Sequence, residues 1–312
     1  MILDIMIIAI GFFFLWKGSE YFVEAAAEIA RRIGVSDLVI GLTLVSVSTT
    51  LPEFMASVMA SHLGSGGICV GNAVGSNITN ISLILGTCMI IEGYKVEPVV
   101  LKRYGSMLLL VCTLFVVLCL DGVSRPEGGL LLTLFLVYLI ALSREKHTRR
   151  EVKEVSIELK EVPKEPMWKT LVKFAGGGAA VFIGARYLVQ SALNIAVALQ
   201  VHESAIGATI VALGTSLPEF AVALRALKED FEEISVGNIL GANTLNIVWV
   251  IGVSALVRPL TLDRNLLYFN IPMMMGVTLL LLGFMSRGYQ LRRWQGIVFL
   301  GLYMLFVVIN YV

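Results

Sequence analysis

Two glutamates stand inside long apolar runs, each at the end of a hydroxyl-rich phrase. Glu53 belongs to GLTLVSVSTTLPEF (41–54) and Glu219 to GATIVALGTSLPEF (207–220). Each phrase is followed by a second, VGNAVGSNITNI (70–81) and VGNILGANTLNI (236–247). One offset of 166 residues carries Glu53 onto Glu219 and Asn80 onto Asn246 without a gap, so the chain is internally duplicated. A carboxylate inside a membrane helix is costly, and one kept in both copies points to ion chemistry.

On a helix, Thr49, Glu53 and Ser57 share one face at i, i+4 spacing, and Thr215 and Glu219 repeat the arrangement. Ser76 and Asn80 share a face in the same way, as do Asn243 and Asn246. Pro52 and Pro218 lack an amide hydrogen and crowd the carbonyl one turn back. The helix is therefore expected to kink or unwind over 48–51 and at the matching place in the second copy. That would free carbonyls near Thr49 and Thr215 as ligands.

The pooled donors are carboxylates, carboxamides, hydroxyls and carbonyls, with no thiolate or imidazole. Such hard oxygens suit Ca²⁺, Na⁺ or Mg²⁺ rather than zinc, copper or iron. Two glutamates neutralise one divalent ion, and Ca²⁺ accepts about six to eight irregular oxygens where Mg²⁺ dehydrates reluctantly. Ca²⁺ is thus favoured. His62, His147 and His202 do not cluster, and Cys69, Cys88, Cys112 and Cys119 have no C-x-x-C spacing. A structural alternative pairs the glutamates with Lys17 and Arg186, but an ion pair would not need the surrounding hydroxyls and amides.

The elements that must position these residues are membrane helices. Of 312 residues 57% are hydrophobic and only 15% charged, below the quarter or so of a soluble domain. Apolar runs and turn signals at Gly34, 64–67, Pro98, Pro126, Pro259 and Gly288 predict ten helices. They lie at about 2–30, 36–62, 68–91, 101–120 and 127–143, then 170–199, 204–227, 234–257, 267–285 and 292–312. The first apolar run lacks a basic flank and a cleavage site, so it reads as a membrane helix and not as a leader. Gly71 and Gly75, with Gly237 and Gly241, form small-xxx-small pairs expected to let helices approach.

Positive charge is lopsided. With the N-terminus outside, the inner loops hold Arg31, Arg32, Lys95, Lys102, Arg103, the 144–173 cluster, Arg225, Lys228, Arg287, Arg292 and Arg293. The outer loops hold only Arg125, Arg258 and Arg264. Both termini are therefore expected to be extracellular. Five helices per repeat is an odd number, so the two copies enter from opposite sides. The expected fold is an all-α membrane protein of ten transmembrane helices in two inverted five-helix repeats, an architecture of secondary transporters. The repeats are 1–143, with motif region 36–91, and 169–312, with motif region 204–257. A short cytoplasmic loop, 144–168, joins them.

At these residues the chain resembles the cation/Ca²⁺ exchanger superfamily, and most of all the prokaryotic Na⁺/Ca²⁺ exchangers. The T-[TS]-L-P-E and G-N-x-x-G-[SA]-N motifs, each present twice, carry the resemblance, and the layout covers nearly the whole chain. It implies that Glu53 and Glu219 are shared Ca²⁺ ligands, completed by the carbonyls of Thr49 and Thr215. It further implies that the hydroxyls of Thr50, Ser76, Thr215 and Ser216, with Asn80 and Asn246, line neighbouring Na⁺ positions. The carbonyls of Ser46 and Ala212 are lesser candidates. The well-known sodium-coupled members carry Asp where Asn246 stands and Ser where Ala242 stands, so this site has two acidic groups and one hydroxyl fewer.

The expected function is Ca²⁺/Na⁺ antiport by alternating access at a midplane site in the plasma membrane. The alternative is Ca²⁺/H⁺ antiport on the same fold. A cation channel fits less well, because channels surround a pore with several identical subunits and this chain is already duplicated. An enzyme is not expected: the sequence has no nucleophile–base pair, no H-E-x-x-H and no paired aspartates. The expected partners are Ca²⁺, the counter-ion and lipid. No cofactor is expected, no basic stripe suggests nucleic acid, and a monomer would suffice. The loop 144–168 is too short for a calcium-sensing domain.

Overall fold

The structure is a computed structural model that describes residues 2–32, 37–96, 98–144, 166–228 and 232–311. Apart from one two-stranded ladder it is helical. The first half holds α1 (Ile2–Arg32), α2 (Asp37–Leu63), α3 (Gly66–Ile91), α4 (Pro98–Leu118) and α5 (Arg125–Arg144). The second holds α6 (Met167–Leu199), α7 in two pieces (Glu203–Thr215 and Leu217–Lys228), α8 (232–257), α9 (Leu266–Ser286) and α10 (Arg293–Asn310). Most of the loop expected at 144–168 lies outside the described residues.

Among the described residues, seven helices, α1, α3, α4, α6, α8, α9 and α10, are long and apolar enough to cross a membrane, and α7 makes an eighth if its bent halves count as one span. The protein is thus an all-helical, multi-pass membrane protein.

Burial separates a core from a periphery. In α3 and α8, 78% and 83% of the apolar window is buried, against 28% in α1 and 33% in α4 and α10. Helices hydrophobic on every side belong at the centre, and α3 and α8 carry the GN phrases. α1 instead exposes Ile2, Leu3, Ile5, Met6, Ile10 and Phe13, an apolar face suited to lipid.

α1 and α6 pack antiparallel along glycines seven residues apart. A Cβ on Gly11 would lie 3.1 Å from the Gly184 carbonyl, and one on Gly184 would lie 3.0 Å from that of Gly11. Gly18 and Gly177 repeat this at 3.0 and 2.8 Å. Without side chains the two backbones meet directly, which is how membrane helices gain close packing.

The expected packing role of the GN-phrase glycines holds in one copy only. A Cβ on Gly71 would come within 2.8 Å of the Ser204 carbonyl, and Gly75 lies against the backbone of Ala208. In the second copy, among the described residues, a Cβ on Gly237 would meet nothing within 4 Å, and one on Gly241 only the Tyr138 hydroxyl at 3.7 Å. α3 is pressed on the start of α7, whereas these α8 glycines have room beside them.

Short connections lock the ends. Ser65 caps α3, its Oγ accepting from the Ile68 amide at 3.1 Å, and Asp263 accepts from the Leu266 amide at 2.9 Å to cap α9. The strands β1 (Tyr94–Lys95) and β2 (Gln290–Leu291) pair antiparallel, Tyr94 opposite Leu291. Val123 and Leu260 exchange two backbone bonds of 2.9 Å.

Candidate ion-binding site

The helices that carry the site are irregular where they meet. α3 widens into a π-helical stretch at Thr79–Leu85 and α8 does so at Asn246–Ile251. Asn80 and Asn246 therefore sit at the start of matching π stretches, a distortion common at functional sites. α7 has a further π stretch at Gly207–Val211 and then breaks at Ser216 (φ −85°, ψ 6°), bending by 42° between its halves.

The unwinding expected ahead of Pro52 is not there. α2 remains one helix from Asp37 to Leu63 with Pro52 inside it. The break occurs only in the second copy, two residues before Pro218. Proline removes one hydrogen bond from a helix, and packing against neighbours decides whether the helix then breaks.

All nine side chains singled out from the sequence lie in the interior. Glu53, Glu219, Thr215, Ser216 and Asn246 are each 1% exposed, Thr49 is 5% exposed, and Thr50, Ser76 and Asn80 are 0% exposed. Across the two copies, Ser216 Oγ donates to Glu53 Oε1 at 3.0 Å. The hydroxyls of Thr215 and Ser76 also face the Glu53 carboxylate, and that of Thr49 faces Glu219. The two carboxylates are close enough to feel each other's charge. Thr215 Oγ1 lies 3.1 Å from both Asn72 Oδ1 and the Val211 carbonyl. Neither Thr50 nor Ser216 is spent on its own helix: Ser216 reaches Glu53, and Thr50 Oγ1 has no protein partner.

Among the described residues, no base neutralises the glutamates. Lys17 lies 2.6 Å from Glu20 on an exposed face, and Arg186 is exposed, so neither reaches them. Instead, buried oxygens without a hydrogen-bond partner accumulate: Oε2 of Glu53 and of Glu219, Oδ1 of Asn80 and of Asn246, and the hydroxyls of Thr50 and Ser76. A buried oxygen without a donor costs about 1–3 kcal/mol, and more when charged. A cation supplies what these oxygens lack. Among the described residues no group of three His, Cys, Asp or Glu could hold a metal ion, so the site is one of mixed oxygens rather than a carboxylate cage.

Three asparagines that the motif reading did not single out as ligands hold the site together. Asn72 Nδ2 donates to the Glu53 carbonyl at 3.1 Å and to Ser57 Oγ at 2.9 Å. Asn77 and Asn243 join α3 to α8 at the centre of the molecule, both fully buried. Their signal in the sequence is a buried amide beside each GN phrase, which does not reveal its partner.

The profile of the sodium/calcium exchanger protein family matches residues 3–144 and 169–312. The sodium/calcium exchanger MaX1 of Methanosarcina acetivorans is 33% identical, with 98% of each chain covered. The inner membrane protein YrbG of Escherichia coli is 33% identical over 84% of this chain and 82% of its own. Among solved structures, the sodium-calcium exchanger NCX_Mj soaked with 2.5 mM Na⁺ and 0.1 mM Ca²⁺ superposes with a TM-score of 0.65 at 33% identity, covering 99% of this chain and 98% of that one. With its duplicated phrases, oxygen-lined centre and matching helices, the chain is a membrane antiporter belonging to the sodium/calcium exchanger family.

Proposed function

We propose that this protein exchanges Ca²⁺ for Na⁺ by alternating access to one site between α2, α3, α7 and α8. The observation that carries this reading is the set of partnerless oxygens around Glu53 and Glu219, buried with no base to neutralise them. Glu53 and Glu219 would bind Ca²⁺ with the carbonyls of Thr49 and Thr215. Thr50, Ser76, Thr215 and Ser216, with Asn80 and Asn246, would hold Na⁺. Two carboxylates balance one Ca²⁺ or its replacement ions. The loaded site is then near neutral and can be occluded, whereas the empty dianion is costly to bury. That difference couples the two fluxes.

The finer architecture belongs to the same reading: ten spans as two inverted repeats, 1–143 and 169–312, joined by a cytoplasmic loop at 144–168. It is supported by contacts that recur after exchange of the halves. Asn77 and Asn243 are 166 residues apart and donate to each other's carbonyl. The connection after α3 pairs with the one before α10, and the connection after α8 meets the one before α5. The charge count supports both termini outside, and the same reading puts the protein in the plasma membrane. The glycine-seamed pair α1–α6 would move across the core to alternate access.

Reconstitution tests the function. Proteoliposomes loaded with Na⁺ should take up ⁴⁵Ca²⁺ when diluted into Na⁺-free medium, and collapsing the Na⁺ gradient should stop it. Uptake that ignores Na⁺ and follows an imposed pH gradient would overturn Na⁺ coupling.

A further inference from the structure

We propose that Asn77 and Asn243 are positioning residues that fix which end of the Asn80 and Asn246 amides faces the ion. The inference rests on the ion-site reading above and concerns what makes that site select a cation.

A carboxamide presents either an oxygen or an NH₂, and only the oxygen binds a cation. Here the choice is forced by a chain of contacts anchored on backbone. The Asn77 carbonyl can only accept, so the end of Asn243 that lies 3.2 Å from it is Nδ2. Asn243 therefore turns Oδ1 to Asn80, which must answer with its own Nδ2, at 2.9 Å. The Asn80 oxygen is left pointing away, without a protein partner.

The other half repeats the logic. Asn77 Nδ2 donates to the Asn243 carbonyl at 3.1 Å, with Met274 Sδ, a weak acceptor, 3.6 Å from the same nitrogen. Asn77 Oδ1 then receives Asn246 Nδ2 at 3.0 Å, and the Asn246 oxygen is left partnerless. All four amides are at most 1% exposed, so water does not compete for these bonds. Every hydrogen bond in this lattice points one way, and its two free ends are both oxygens.

In this lattice an ionised Asp at 246 would meet Asn77 Oδ1 acceptor to acceptor. A carboxylate has no hydrogen to give to Asn77 Oδ1, and two acceptors about 3 Å apart repel. Asn77 could flip to meet it only by turning its own oxygen onto the Asn243 carbonyl. The number of acidic groups in the site is therefore coupled to residue 77, which lies outside the ligand set.

Displacement of ⁴⁵Ca²⁺ from purified protein by Na⁺ tests this, beside thermal unfolding measured without ions. Asn77→Ser frees the Asn246 amide and should raise the Na⁺ concentration that displaces half of the Ca²⁺ about tenfold, the worth of one buried hydrogen bond. In an Asn246→Asp background the same change removes the clash and should lower that concentration. That reversal of sign is the expected result. Equal effects of Asn77→Ser in both backgrounds, or a loss of melting temperature with unchanged affinity, overturn the positioning role. Glu53→Gln separates the two levels: if it still binds Ca²⁺ like the parent, the ion-site reading fails, whatever residue 77 does.

Discussion

Glu53 and Glu219 are the residues whose charge the proposed site depends on most. Replacing either by Gln keeps the shape and removes half of the negative charge facing a divalent ion. Losing one member of a buried charge pair costs about 2–5 kcal/mol, so Ca²⁺ affinity should fall by at least roughly 30-fold. Calcium flux titrations on E53Q and E219Q check this, and near-parental affinity in both would exclude them as ligands. Thr50 gives the complementary test. Its hydroxyl is buried without a protein partner, so Thr50→Val removes a desolvated group and keeps the volume. Unfolding temperature should stay the same or rise, while the Na⁺ concentration for half-maximal exchange rises several-fold. A fall in stability would mean that the hydroxyl serves the fold and not the ion.

At the level of elements, the two copies of one phrase have different shapes. α2 carries Pro52 through without a break, while α7 bends by 42° at Ser216 beside Pro218. The break offers a hinge next to Glu219, and hinges absorb backbone change during gating. Pro218 is the second residue of the second half of α7, where a missing amide costs little. Pro218→Ala lets the helix continue across the break and should slow maximal exchange several-fold with little change in melting temperature. Pro52→Ala should move turnover much less, because α2 is continuous already. Parallel melting and ⁴⁵Ca²⁺ uptake curves decide it, and a P218A protein with full turnover would remove the hinge.

For the whole molecule, the question is which parts move. α1 and α6 meet backbone to backbone along Gly11–Gly184 and Gly18–Gly177, and the Phe12 ring lies against Gly214 on the neighbouring α7. A disulfide across the seam, Gly11→Cys with Gly184→Cys, joins parts that travel together and should leave exchange intact. One between Phe12→Cys and Gly214→Cys ties the pair to the core and should stop exchange until reduced. Block by the first cross-link, or full exchange through the second, would contradict motion of α1–α6 as one body.

Much was legible before any coordinates: the duplication, the hard-oxygen donors, the membrane helices and the buried place of all nine candidate side chains. These follow from residue type and short-range spacing, because a carboxylate is expensive in an apolar helix wherever that helix packs, and helical periodicity sets which residues share a face. Other features were not legible. Pro52 and Pro218 read alike, yet only α7 breaks. Gly75 and Gly241 read alike, yet only Gly75 has a backbone pressed on it. The amides of 77, 80, 243 and 246 carry no mark of which end points inward. The contacts of Gly75 and of the amides are with residues more than 130 positions away, so they are decided by the packing of one half against the other. The chain by itself thus determined which oxygens are candidates to hold an ion; the tertiary structure decided which helix breaks beside them and which way the amide oxygens face, the latter because the amide contacts exist only once the two halves meet.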